Sequence, residues 1–166
     1  GLPSAARGKG KGKGGGVGPA VPLLALSSLF VLMEDHGLEY EGFFGALYSL
    51  LGRAGIQYAA QRRRLLRLVH RCLRSALLPV QTRAAYLKRA SASALASPPA
   101  GSLWALGLLL HHLPQHPQLL PLLHQPKPRG SGSGSEKSGT DGFRALEADP
   151  SQANAMESSL WELTVL

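Results

Sequence analysis

The central part of the chain places its apolar residues at helical spacing from end to end, and this pattern excludes most folds. Leu23, Leu26, Phe30 and Met33 fall three or four positions apart, as on one face of an α-helix. Later segments repeat this spacing and are separated by Pro or Gly, whereas no run alternates β-branched and polar residues. The pattern predicts helices over residues 22–35, 41–51, 57–78, 80–96, 101–113 and 118–124.

Short connections that contain Pro or Gly make neighbouring helices fold back on one another. We therefore expect an all-α chain of antiparallel helix pairs, either a small bundle or a fragment of an α-solenoid of the HEAT/armadillo type. Composition then divides the sequence. The predicted parts are a disordered Gly/Lys tail at residues 1–19, the helical domain at 20–125, a flexible Gly/Ser linker at 126–150 and a C-terminal helix at 151–166.

The chain is strongly basic, with a net charge of +8 and a pI of about 10.2. This balance indicates an acidic partner: nucleic acid, an anionic membrane surface or an acidic protein. A single cysteine, Cys72, excludes a disulfide framework and a cysteine-based zinc module, and it is typical of a reducing compartment. We expect no transmembrane segment, which needs about 20 apolar residues, and no secretory signal. Because the chain begins at Gly1, we expect a fragment of a longer protein.

The predicted third helix concentrates positive charge on one side. Four arginines spaced four, four and three positions apart lie opposite its apolar residues, and a fifth lies beside them. A solvated face is the ordinary interpretation, but such faces normally mix both signs of charge. Residues 42–135 contain twelve Lys/Arg and no Asp or Glu, so we expect the counter-charge to come from outside the domain. The candidate contacts for RNA or an acidic partner are Arg63, Arg64, Arg67, Arg71, Arg74, Lys88 and Arg89.

Binding to RNA through these residues would depend on the phosphate backbone and on salt. Few aromatic residues accompany the basic side, so we expect no readout of RNA sequence. Arg62 differs from its neighbours because it falls on the apolar edge of the helix. We expect Arg62 to pair inside the protein, with Glu39 or Glu41 as conceivable partners.

Other motifs are weaker. Residues 10–15 match G-x-G-x-x-G, but no strand precedes them and no helix follows, so chance in a low-complexity tail is the better explanation. His111, His112, His116 and His124 lie close in sequence, but prolines interrupt the helix that would align them, and no carboxylate or thiolate is near. The sequence therefore predicts no metal site and no cofactor. Without an acid to orient a histidine, we expect no enzymatic activity and no small-molecule substrate.

Several segments, in order along the chain, carry a resemblance to a known family. They are LFVLMEDHGLEY at 29–40, LYSLL at 47–51, AAYLKR at 84–89, HP at 116–117 and AMESSLWEL at 155–163. With order and spacing kept over residues 28–163, the chain resembles the CCAAT-binding-factor domain of the nucleolar complex proteins. The resemblance implies an α-helical repeat solenoid. It also implies a non-enzymatic ribosome-assembly factor located in the nucleolus and nucleus.

The same resemblance implies partners. Members of this type pair with nucleolar protein fourteen in the small-subunit processome and act in pre-rRNA processing and small-subunit maturation on the pre-ribosomal particle. The chain departs from the family at residues 91–94, where Ser and Ala replace charged positions, so a contact made there is in doubt. Two alternatives stay open: a basic DNA-binding module, as the CCAAT name suggests, and a membrane-surface protein that uses the basic third helix.

The predicted C-terminal helix carries Leu160, Trp161 and Leu163 on one side. A solenoid fragment leaves an apolar end face without a capping repeat, and this helix is a candidate to cover part of it. The preferred interpretation is an ordinary packed helix, and the alternative is a motif that docks a partner protein.

Overall fold

The computed structural model describes residues 20–53, 62–76, 78–124 and 141–166. Within these ranges all regular structure is helical, so the all-α prediction is confirmed, and the arrangement is compatible with a solenoid fragment. The predicted tail at 1–19, the first residues of the predicted third helix and the Gly/Ser repeats lie outside the described residues. The α-helices are α1 (Ala20–His36), α2 (Phe43–Leu51), α3 (Arg62–Arg74), α4 (Val80–Leu95) and α5 (Pro99–Gln115). Short 3₁₀ helices follow at Pro117–Leu123, Ala155–Glu157 and Trp161–Thr164.

Glycine and proline set several of the helix ends. Gly37 follows α1 with φ of +64°, a left-handed conformation that glycine adopts without a steric cost. Proline occupies the first turn of α5, where its missing N–H has no partner to lose. Pro114 lies inside α5, which continues to Gln115 instead of ending at residue 113 as predicted. Because Pro114 lies close to the C-terminal end of α5, it removes one backbone hydrogen bond of the final turns and leaves the rest of the helix intact.

Helix α4 is the centre of the fold. It contacts α2, α5 and all three 3₁₀ helices, and every side chain from residue 82 to residue 91 is buried. Small side chains on several sides of α4 let neighbouring elements approach its backbone closely. These residues are Ala84, Ala85, Ala90 and Ser91. Helix α4 also carries Arg83, Lys88 and Arg89. Because neighbouring elements enclose the helix, these cationic side chains are buried as well.

Aromatic contacts join α1 and α2 to the central helix. The Phe30 and Phe43 rings stack with centroids 5.6 Å apart, and Tyr48 meets Tyr86 edge to face at 5.3 Å. The Tyr86 hydroxyl donates a 2.6 Å hydrogen bond to the carbonyl oxygen of Phe44. This bond satisfies a polar group that would otherwise be buried without a partner. None of the described helices is long and apolar enough to cross a membrane.

The C-terminal segment, residues 141–166, packs onto this framework without forming an α-helix. Asn154 has a left-handed backbone with φ of 54°, and Ser158 is extended, so only single turns of 3₁₀ helix form. The amide of Leu160 donates to the carbonyl oxygen of Leu122 at 2.7 Å, which ties the segment to the 3₁₀ helix after α5. The structure therefore differs from the sequence prediction in two ways: residues 151–166 are not one helix, and residues 141–150 contact α4 instead of belonging to a flexible linker.

Candidate nucleic-acid interface

Helix α3 is amphipathic, and its outer side carries the predicted arginines. Its opposite side buries Leu65, Val69, Cys72 and Leu73 completely, which fixes the rotation of the helix about its axis. Burial raises the pKa of the Cys72 thiol to about 12, so this cysteine is an inert part of the core. All five arginines on the outer side are exposed. We call this surface the α3 basic face, defined as Arg63, Arg64, Arg67, Arg71 and Arg74.

One member of the α3 basic face has a partner on the neighbouring helix. Arg71 forms an ion pair with Glu34 of α1, and its guanidinium lies 5.2 Å from the centroid of the Phe30 ring. Among the described residues, Arg63, Arg67 and Arg74 have no carboxylate or hydrogen-bond partner. These three side chains can therefore take an external anion without breaking a contact of the fold. Arg62, by contrast, is half-buried at the start of α3, and its pairing with Glu39 or Glu41 stays a prediction.

Lys88 does not belong to the surface, and its prediction as a contact for RNA or an acidic partner is wrong. The side chain is buried on α4, with its Nζ 2.8 Å from Oε1 of Glu162 and 2.5 Å from Oδ2 of Asp141. Nζ also donates to the carbonyl oxygen of Ser159, and the hydroxyl of Ser91 donates to Glu162 at 3.3 Å. For Lys88, the counter-charge comes from the C-terminal segment of this chain and not from an outside partner.

Arg89 is corrected for the same reason. It is 8% exposed, its Nη1 donates to the carbonyl oxygen of Tyr48 at 3.0 Å, and its Nη2 donates to those of Ala145 and Glu147. The guanidinium lies 3.6 Å from the centroid of the Tyr48 ring, a cation–π contact. Burial raises the pKa of the Tyr48 hydroxyl to about 12. Arg89 therefore links α2 to the C-terminal segment, and Gly52 beside it leaves the room that the guanidinium needs.

A third cation of α4, Arg83, has an internal role as well. Its Nε donates to the carbonyl oxygen of Leu73 at 3.2 Å, and its Nη2 donates to that of Ser75 at 2.8 Å. These carbonyls lie at the C-terminal end of α3, where backbone acceptors lack helical partners and the helix dipole is negative. Burial lowers the pKa of Arg83 from its usual value. Arg83 therefore caps α3 and is not available to an external anion.

The three apolar residues predicted near the C-terminus have different surroundings. Leu160 is buried in the core, and Leu163 is partly buried against it. Trp161 is 40% exposed, and its Nε1 donates to Oδ2 of Asp141 at 3.1 Å. Asp141 and Glu162 were not predicted as partners of Lys88. The available signal was that acids resume beyond residue 135, after a long region that has only cations.

The structure also regroups the histidines. His70 of α3, which the sequence argument did not consider, lies with His111 and His112 of α5, and one nitrogen from each ring can be chosen so that all three lie within 4.8 Å. His124 is not part of this group. Of the four histidines weighed from the sequence, His111 and His112 lie within α5 and belong to the group, whereas His116 and His124 lie beyond the end of this helix. The third member comes from α3 instead. These three residues could hold a metal ion.

Comparisons with known proteins bear on the identity of the whole domain. Residues 22–166 match the CBF/Mak21 family. The chain is 35% identical over 165 residues to Protein NUCLEOLAR COMPLEX ASSOCIATED 4 of Arabidopsis thaliana. It is 39% identical over 150 residues to Nucleolar complex protein 4 homolog A of Xenopus laevis and 38% identical over 150 residues to the Nucleolar complex protein 4 homolog of Homo sapiens.

Each of these alignments covers 90% of the chain but only 27% or 28% of the relative, so the chain spans little more than a quarter of their length. The names of all three relatives indicate a nucleolar protein, which confirms the predicted localisation. The family match extends over the α-helices and the C-terminal segment together. From the helical fold and this match, the chain belongs to the CBF/Mak21 family and is similar to the nucleolar complex protein 4 homologs.

Proposed function

We propose that the chain is part of a non-enzymatic scaffold for ribosome biogenesis in the nucleolus. The proposal extends to the small-subunit processome, pre-rRNA processing and small-subunit maturation, with a protein partner of the nucleolar protein fourteen type. The family match and the names of the relatives support the nucleolar part. The resemblance described above supports the finer assignment.

The observation that carries the proposal is the exposed α3 basic face. Arg71 is paired with Glu34, whereas Arg63 and Arg67 have no carboxylate or hydrogen-bond partner among the described residues. Arg63 and Arg67 lie one helical turn apart and are exposed. An array of guanidinium groups with this spacing suits a phosphate backbone, which offers repeated single charges and requires no sequence readout. We assign pre-rRNA as its ligand.

A charge-matched pair of variants tests this assignment. The first variant replaces Arg63 and Arg67 with Gln and so removes two positive charges from the α3 basic face. The control variant replaces the exposed Arg53 and Arg144 with Gln and removes two positive charges elsewhere. For single-stranded pre-rRNA, we expect the first variant to reduce the slope of log K against log salt by about 1.4 and the affinity at 0.1 M salt by about 25-fold. Fluorescence anisotropy titrations across a salt series would measure both quantities.

The control variant should bind RNA almost as tightly as the unmodified chain, because salt screens the attraction between RNA and charges that lie away from the contact surface. The Gly/Lys tail is present in both variants, so its own affinity for RNA cancels in the comparison. Equal losses in the two variants would overturn the assignment to the α3 basic face. Loss of an acidic protein partner with unchanged RNA binding would assign the face to protein instead.

The protein partner is expected on a different surface. Leu103 and Leu110 of α5 are 69% and 74% exposed, and their spacing of seven residues places them on one side of the helix, with Gly107 between them. Leucines this exposed on one face are typical of a surface that another protein covers. The outer side of α5 is therefore our candidate for docking the partner of the nucleolar protein fourteen type.

Replacing Leu103 and Leu110 with Gln should reduce co-purification with that partner by about tenfold or more, since contacts at the centre of an interface carry most of its binding energy. RNA binding should not change. Stability should change by less than about 0.5 kcal/mol, because both positions are exposed. Quantitative immunoprecipitation from nucleolar extract would measure the loss, and the Arg63/Arg67 variant is the matched control. Unchanged recovery of the partner would exclude this face.

A further inference from the structure

Three imidazoles from two helices converge at one place between α3 and α5. The ring centroids of His70 and His111 are 4.8 Å apart, those of His70 and His112 are 5.2 Å apart, and those of His111 and His112 are 5.0 Å apart. His111 and His112 are adjacent on α5, and His70 joins them from α3, so the cluster depends on how these two helices pack. The cluster has no role in the proposed binding of RNA or protein.

The geometry of the inner pair matches that of two ligands on one metal ion. Nε2 of His112 lies 3.3 Å from Nδ1 of His70. In a tetrahedral zinc site with Zn–N bonds of about 2.0–2.1 Å, two ligand nitrogens are separated by about 3.4 Å. The pair therefore has the required separation before any ion binds. The alternative is a hydrogen bond between the two rings, which has the same distance but needs no third histidine.

His112 is unusual in its burial. The side chain is 0% exposed, and its Nδ1 has no hydrogen-bond partner among the described residues. This atom is not the one that faces His70, so in a metal-bound form Nε2 would be the ligand and Nδ1 would carry the ring proton. His111 is exposed at the opposite side of the cluster, which offers a route for an ion from solvent.

The protonation state also suits a metal. Burial, together with the neighbouring His70 and His111, lowers the pKa of His112 to about 4. Burial, His111 and Arg74 lower the pKa of His70. Both rings are therefore neutral at pH 7, the form in which imidazole has a lone pair for coordination. The neighbouring cations Arg74 and Arg83 repel the positive charge of a bound metal ion. The site should therefore bind a metal ion less tightly than a site with anionic ligands.

We propose that His70, His111 and His112 form a binding site for a divalent transition metal, with zinc as the expected ion. The three imidazoles would leave a fourth coordination position for water or an external ligand. Neutral nitrogen ligands favour zinc, copper or nickel over magnesium and calcium. Since His70 lies on α3 and the other two lie on α5, a bound ion would link these helices and stabilise their packing.

Isothermal titration of the full, tag-free chain with zinc chloride after EDTA treatment and dialysis tests the proposal. We expect one zinc ion per chain, and cobalt should give the visible absorption of a tetrahedral complex. His70→Gln and His111→Gln should each weaken zinc binding by about 100-fold or more, because the loss of an outer-sphere partner alone costs 10- to 100-fold. His111 is exposed, so its variant should keep the fold even if variants of the buried His112 do not.

His124→Gln is the matched control, because His124 is exposed and lies outside the cluster. This variant should bind zinc like the unmodified chain, and circular dichroism should show the same helical content in all variants. Absence of zinc binding in the unmodified chain would overturn the proposal and leave a hydrogen-bonded histidine pair. Binding that survives both His70→Gln and His111→Gln would overturn it as well.

Discussion

Replacing Lys88 with Met is expected to lower the free energy of unfolding by about 3–5 kcal/mol, because it removes one partner of a buried ion pair and leaves the other uncompensated. The methionine keeps most of the apolar stem, so the change isolates the ammonium group. Glu162, which is 1% exposed, would then be a buried carboxylate without a counter-charge. Chemical denaturation followed by circular dichroism would measure the shift in midpoint and the slope.

A second variant separates the charge effect from a general packing defect. Combining Lys88→Met with Glu162→Gln removes the uncompensated carboxylate, and Asp141 can turn to water because its side chain is already 28% exposed. We expect the double variant to be more stable than Lys88→Met by about 1–2 kcal/mol, because the buried carboxylate without a counter-charge is gone. Arg144→Met, which removes an exposed cation from the same segment, should change stability by less than about 0.5 kcal/mol. Equal losses for Lys88→Met and Arg144→Met would contradict the buried ion pair.

Replacing Arg89 with Met is expected to destabilise the chain by about 2–4 kcal/mol, since hydrogen bonds from charged donors are worth about 1.5–3 kcal/mol each and buried acceptors lose their donor. The affected acceptors are the carbonyl oxygens of Tyr48, Ala145 and Glu147. Two of these belong to the C-terminal segment, so this segment should detach before the helices unfold. Limited trypsin digestion should then cleave at Arg144 much faster than in the unmodified chain, while α3 and α4 stay protected.

Arg89→Lys provides the geometric control. A lysine keeps the positive charge but lacks the planar fork that reaches α2 on one side and the C-terminal segment on the other. We expect it to recover less than half of the lost stability, with cleavage at Arg144 still accelerated. Full rescue by lysine would show that charge alone matters and that the two-sided hydrogen bonding does not. Arg67→Met, on the exposed side of α3, should change neither measurement.

The error about the counter-charge has a clear physical origin. A long acid-free region indicates missing counter-charge only if ion pairs form between residues near in sequence, as on one helix. Lys88 instead pairs with residues 53 and 74 positions further along the chain, on a segment that looked like a linker and a separate helix. The small residues around Lys88 on α4 were the available sign that this lysine is buried. A helix with small side chains on several sides can pack closely against neighbours on each of those sides.

Helical spacing, Pro and Gly determined the α-helices from the sequence alone, since these signals act within a few residues. The exposure of the α3 arginines was predicted from the same spacing, because burial of one apolar face fixes the rotation of a helix about its axis. Tertiary structure alone decided which cations are internal, which histidines meet and whether residues 155–164 form an α-helix or single turns. Each of these outcomes depends on groups brought together from distant parts of the chain. No local pattern records that closeness, because it depends on which distant segments pack against one another.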